Sequence, residues 1–107
     1  MLNDVTYFEA ARVLANRMIS NGATPDQRLK FAYEWTLSRP PSSSEERILL
    51  ASLKRRIAHY KSNEKAAKKL ISIGDVKNTA KADPSELAAY TVLASTILNM
   101  DETLTKE

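Results

Sequence analysis

The chain has 107 residues, enough for one domain that buries a core without metal ions or disulfides. Its 43% hydrophobic and 27% charged residues are typical of a globular protein rather than a disordered one. The absence of cysteine excludes disulfides, thiolate metal sites, covalent haem attachment and cysteine nucleophiles. The net charge of +3 is only a weak indication of a polyanionic partner.

The sequence contains no segment typical of a membrane span or of an export signal. No run reaches the roughly 18 consecutive apolar residues that a transmembrane helix needs. The N-terminus, MLNDVTYFEA, lacks a basic region followed by an apolar stretch. We therefore expect no membrane insertion and no signal peptide in this chain.

The first predicted helix covers residues 6–20. Thr6 and Glu9 have the spacing of a capping box, in which each side chain accepts a hydrogen bond from an N–H group of the first turn. Apolar residues then recur at helical spacing. This pattern places Arg12 and Asn16 on the opposite, polar face.

The second predicted helix covers residues 25–38. Gly22 is expected to supply the left-handed residue that ends the first helix. Thr24, Pro25 and Gln27 then repeat the capping signal, with proline at the first helical position.

The stretch LSRPPSSSEE is predicted to be a stiff corner between helices rather than a linker. Pro40 and Pro41 stop the second helix, because a residue before proline is pushed out of the helical region. Ser42 and Glu45 form a capping box that starts a third helix over residues 43–61.

Two further helices are predicted in the second half. Asn63 can cap a short helix over residues 64–73, and Asp83 a last one over residues 84–99. Within the last helix Glu86 is the only charged residue, so we expect it to be the most buried helix.

The predicted fold class is all-α, because no segment alternates apolar and polar residues with the period of a strand. We expect residues 1–107 to form a single helical domain. It would be a compact bundle or orthogonal array of four main helices and one short helix.

Motifs that carry chemistry are missing from the sequence. His59 is the only histidine and lies among basic residues, so we expect a solvated side chain rather than a metal ligand. The chain has two glycines, too few for a phosphate-binding loop, and no nucleophile elbow. We predict no catalytic residue, no cofactor and no metal site.

Basic residues crowd the third and fourth helices, and a solvated helix face is the leading interpretation. Contact with nucleic acid or another acidic surface is the alternative. Nucleic acid is not favoured, because the aromatic residues lie on apolar stripes rather than among the lysines. The basic residues are Arg47, Lys54, Arg55, Arg56, Lys61, Lys65, Lys68 and Lys69.

Phe31 and Trp35, four residues apart, form a second apolar stripe on the second helix. Packing into the bundle is the leading interpretation. The alternative is an interaction surface toward a part of the protein outside this chain.

Two segments, FAYEWTLSRPPSSSEE and DPSELAAYTVLASTILNMDETLTKE, resemble the C-terminal end of the planctomycete-type PSD family, a domain of unknown function. The first shared motif consists of Ala32, Tyr33, Leu37, Arg39, Pro40, Pro41, Ser42 and Glu45. The second consists of Leu98, Asn99, Met100, Asp101, Glu102, Leu104, Thr105 and Glu107.

The resemblance implies that the chain is the C-terminal fragment of a large bacterial protein exported to the periplasm or cell surface. Some proteins of this family carry a cytochrome-c-like domain, and no catalytic residue carries over to this chain. A further expectation is that Arg39 pairs with Asp101 or Glu102, because a guanidinium group holds a carboxylate well.

Three hypotheses on function remain. The first is a non-catalytic structural or interaction module, whose partner is the remainder of the parent polypeptide or another protein. The second is a subdomain that completes an active or redox site in the missing part of the parent. The third is a small basic helical regulator that binds nucleic acid.

Overall fold

The computed structural model describes residues 4–72 and 81–100. Within these ranges the chain forms five α-helices and no strand, which confirms the predicted all-α class. The helices are α1 Asp4–Asn21, α2 Pro25–Leu37, α3 Ser43–Lys61, α4 Glu64–Ile71 and α5 Pro84–Met100. No helix among the described residues is both long and apolar enough to cross a membrane.

Local capping starts α2, α3, α4 and α5 at the predicted residues. At each start, a side-chain oxygen accepts a hydrogen bond from the backbone N–H three residues later. The capping residues are Thr24, Ser42, Asn63 and Asp83. These interactions span three residues, which is why the sequence predicts them well.

The start of α1 differs from the prediction. The helix begins at Asp4, so Thr6 lies inside it and the predicted capping box is wrong. A capping residue must have extended backbone angles, and helical backbone on both sides of Thr6 excludes them.

The end of α1 also has a different cause from the one predicted. Gly22 does not adopt the left-handed conformation. A Cβ atom at this position would lie 2.8 Å from the backbone nitrogen of Arg28, so glycine is required by the close approach of two backbone segments. Arg28 then covers the end of α1, because its Nε donates to the carbonyl oxygen of Gly22 at 2.8 Å.

The last helix, α5, lies at the centre of the fold, and its burial confirms the prediction made from its single charged residue. It packs against each of the other four helices and contributes nine buried residues to the core. Burial of this apolar surface is the main stabilising contribution to folding. The buried residues of α5 are Ser85, Leu87, Ala88, Ala89, Tyr90, Thr91, Leu93, Ala94 and Ile97.

Two residues predicted to lie on the polar face of α1 are buried instead. Arg12 is 1% exposed and Asn16 is 4% exposed. The Arg12 guanidinium donates to the carbonyl oxygen of Ile71, the last residue of α4. A cation is stabilised there by the partial negative charge at a helix C-terminus. The prediction failed for Arg12 because its partner, the last residue of α4, is distant in sequence.

Candidate functional site

A stacked aromatic pair on α2 includes an exposed tryptophan. The rings of Phe31 and Trp35 stack with their centroids 5.6 Å apart and their planes 25° apart. Phe31 is half-buried, whereas Trp35 is 60% exposed. The interpretation of Trp35 as a side chain packed inside the bundle is therefore wrong. On α2 the core positions are taken by Leu29, Ala32 and Tyr33, and Trp35 lies about 160° from Tyr33 around the helix.

An arginine of α1 completes this surface. The guanidinium carbon of Arg17 lies 4.9 Å from the centroid of the Trp35 ring, a cation–π arrangement. We call Arg17, Phe31 and Trp35 the aromatic surface. Val13, one helical turn before Arg17, is 38% exposed and extends the apolar area along α1. Arg17 was missed from the sequence because no local pattern shows which helix lies beside α2.

The basic residues of α3 and α4 all face solvent. All eight basic residues of these two helices are exposed. They include the four that were predicted as part of an interaction surface, which are Lys54, Arg55, Lys61 and Lys65. Three lysines of α4 line one shallow concavity of about 600 Å³ together with Asn63, Ala66 and Ser72. They are Lys65, Lys68 and Lys69. The structure thus places the basic residues on α3 and α4, and the aromatic surface on α1 and α2.

A second concavity lies between the start of α2 and the middle of α3. It has a volume of about 470 Å³ and an apolar floor made by Leu50, Leu53 and Ile57. Asp26 and Lys54 line it as well, so it presents one charge of each sign. No feature of its lining distinguishes one class of ligand from another.

The proline corner is held by an ion pair. Arg39 donates two hydrogen bonds to Glu45, at 2.8 and 3.0 Å, in a bidentate arrangement. Glu45 also accepts from the backbone N–H of Ser42 at 2.8 Å, which completes the predicted capping box of α3. Both acids predicted to pair with Arg39 lie outside the described residues; they are Asp101 and Glu102.

The same corner reaches the end of α5 through a tyrosine. The Arg39 guanidinium lies over the Tyr33 ring, 5.3 Å from its centroid, and Tyr33 is fully buried. Its hydroxyl group donates to the sulfur of Met100 at 3.5 Å. Burial raises the pKa of Tyr33. Through Tyr33, Arg39 and Glu45 the corner thus connects α2, α3 and the end of α5.

The ion pair should make stability depend on pH. Hydrogen bonds from Arg39 lower the pKa of Glu45 from its ordinary value of 4.5 to about 2. Because this pKa is lowered in the folded chain, the carboxylate stabilises the fold above pH 4.5, and the contribution is lost as the pH falls toward 2. Glutamine at position 45 keeps a capping oxygen but removes the charge. We therefore expect E45Q to lower the free energy of unfolding at pH 6 and to match the parent chain near pH 2.

Urea titrations across this pH range measure the difference. The matched control is the same substitution in an R39Q background, in which the partner of Glu45 is missing and the pH dependence of the difference should shrink. A difference between E45Q and the parent chain that stays constant from pH 6 to pH 2 would contradict the role of the Arg39–Glu45 pair.

Groups that could bind a metal ion do not come together in the described part of the chain. No cluster of three histidine, aspartate or glutamate side chains that could hold a metal ion occurs there. His59 is exposed and contacts the ring of Tyr60 edge-on, at 5.1 Å between centroids. This agrees with the expected solvated histidine.

Comparison with family models, curated proteins and solved structures gave no match for this chain. The resemblance to the planctomycete-type PSD family accordingly stays a hypothesis. Fold and surface define the chain as an all-α protein with an exposed aromatic surface.

Proposed function

We propose that this chain is a non-catalytic interaction module that binds another polypeptide segment through the aromatic surface. The observation that carries the proposal is the 60% exposure of Trp35, a residue that usually buries most of its large apolar area. Tryptophan and arginine are also the residues most enriched among those that dominate binding energy at protein interfaces.

The chemistry of the surface indicates what the partner segment contains. The rings of Phe31 and Trp35 stack on each other and the Arg17 guanidinium lies over the Trp35 ring, so the surface combines exposed apolar ring area with a positive charge. A partner segment with an apolar side chain would cover the exposed ring area, and a carboxylate in the same segment would pair with Arg17. The partner we propose is such a segment in the remainder of the parent polypeptide. The family resemblance supports an exported parent with further domains, located in the periplasm or at the cell surface.

Substitution of Trp35 is the direct test. A photoreactive amino acid at position 13, beside the aromatic surface, would be introduced into the chromosomal gene. Mass spectrometry of the crosslinked product would then identify the contacting segment. We expect W35A to weaken binding of that purified segment by about 30-fold, which corresponds to the roughly 2 kcal/mol typical of a dominant interface residue.

The matched control is I48A. Ile48 is an exposed apolar residue of α3, 59% accessible, and does not belong to the aromatic surface. Its substitution should leave the affinity unchanged. Equal binding by W35A and the parent chain, or equal losses for W35A and I48A, would reject the proposed interface.

Tryptophan fluorescence gives an independent readout, because Trp35 is the only tryptophan in the chain. In the free chain an exposed indole is quenched readily by acrylamide. Added partner segment should protect it, and unchanged quenching in the complex would place the contact elsewhere.

A further inference from the structure

Charge is strongly segregated along this chain. The helices α3 and α4 contain eight of the 16 basic residues but only three of the 13 acidic ones. They therefore carry a net charge of +5, while the rest of the chain carries −2. No acidic residue lies between Glu46 and Glu64. Such a concentration of one sign creates a local field that the net charge of the whole chain conceals.

The structure leaves these cations available. All eight are exposed. Six of them we call the basic face: Arg47, Lys54 and Lys61 on α3 with Lys65, Lys68 and Lys69 on α4. Among the described residues, ion pairs join Arg28 to Glu86 and Arg39 to Glu45, and neither pair includes a residue of the basic face. Glu45, one of the three acidic residues on these helices, accepts two hydrogen bonds from Arg39.

The cations have a regular arrangement along α3. Arg47, Lys54 and Lys61 are spaced by seven residues, which places them on nearly the same side of the helix. Seven residues rise by about 10.5 Å, so the row spans about 21 Å. This length matches about six nucleotide steps of a duplex at 3.4 Å each.

At the end of this row, α4 adds three more cations. Lys65, Lys68 and Lys69 surround one concavity whose other polar lining residues, Asn63 and Ser72, are uncharged. Among the residues that the structure describes, no carboxylate lines it. A phosphate group in this concavity would meet the ammonium donors of these three lysines.

From these observations we infer that the basic face binds the phosphate backbone of a nucleic acid without reading its sequence. Lysine is depleted in protein–protein interfaces, whereas lysine and arginine contacts to phosphates dominate nucleic-acid binding. Insertion into a membrane surface is less well supported, because the apolar side of α4 packs against α5. This inference depends neither on the aromatic surface nor on the compartment of the parent.

The test is a titration of the chain against a labelled 20-base-pair DNA duplex of random sequence at several KCl concentrations. With four or more phosphate contacts, affinity should fall by at least about 100-fold between 50 and 200 mM salt. The variant K65Q/K68Q should bind more weakly and lower the slope of log K against log salt concentration by about two.

A matched control has the same change in charge elsewhere. Lys30 of α2 and Lys81 are exposed and lie outside the basic face, so K30Q/K81Q should keep the slope of the parent chain. The circular dichroism spectra of both variants should match the spectrum of the parent chain, which checks that the variants fold. Absence of binding at 50 mM salt, or equal effects of the two variants, would overturn the inference. Tighter binding to heparin or to vesicles of anionic phospholipid than to the duplex would also overturn it, in favour of those surfaces.

Discussion

Replacement of Arg12 by alanine is expected to lower the free energy of unfolding by about 3 kcal/mol. Arg12 is among the largest fully buried side chains of the chain. Its removal would leave a cavity between α1 and the end of α4, and it would take away the guanidinium that donates to the Ile71 carbonyl. Chemical denaturation followed by circular dichroism measures the change.

Arg17 is the matched control for Arg12. It lies on the same helix but is exposed, with its guanidinium over the Trp35 ring. We expect R17A to cost about 0.5 kcal/mol or less. A similar cost for R12A and R17A would show that Arg12 is not part of the core in solution.

The second large effect is expected near the C-terminal end of α5. Ile97 is fully buried in the core cluster, so I97A should lower the free energy of unfolding by about 2–5 kcal/mol. This loss of stability has two parts. The first is the transfer free energy of the methyl and methylene groups that are no longer buried, and the second is the free energy of the cavity left among close-packed neighbours. Urea unfolding at neutral pH is a sufficient measurement.

The control for this prediction is the same substitution at an exposed isoleucine. Ile48 is 59% exposed at the start of α3, so I48A should change stability by less than about 0.5 kcal/mol. If I97A lowered the free energy of unfolding as little as I48A does, the position of α5 at the centre of the core would be contradicted.

The two proposed surfaces differ in how they arise. The basic face was expected from the sequence, because the lysines and arginines of α3 and α4 lie outside the apolar stripes of these helices and long charged side chains are mostly exposed. The aromatic surface does not. Phe31 and Trp35 have the same spacing as a core stripe, and only the packing of α1 beside α2 shows that Trp35 stays exposed with Arg17 above it.

The proline corner shows a similar division. Ser42 and Glu45 are predicted correctly as a capping box, because their interaction joins residues three positions apart. The partner of Arg39 within the described residues is Glu45, which the sequence had assigned to capping alone. One carboxylate serves both roles, since its two oxygens can accept several hydrogen bonds.

The sequence alone therefore determined the starts of α2 to α5 and the burial of α5. Capping depends on neighbouring residues, and a helix with one charge among 17 residues can only be buried. Only the tertiary structure decided that Arg12 is buried and Trp35 is exposed. Both outcomes depend on which helices lie side by side, and that is set by long-range packing rather than by any local pattern.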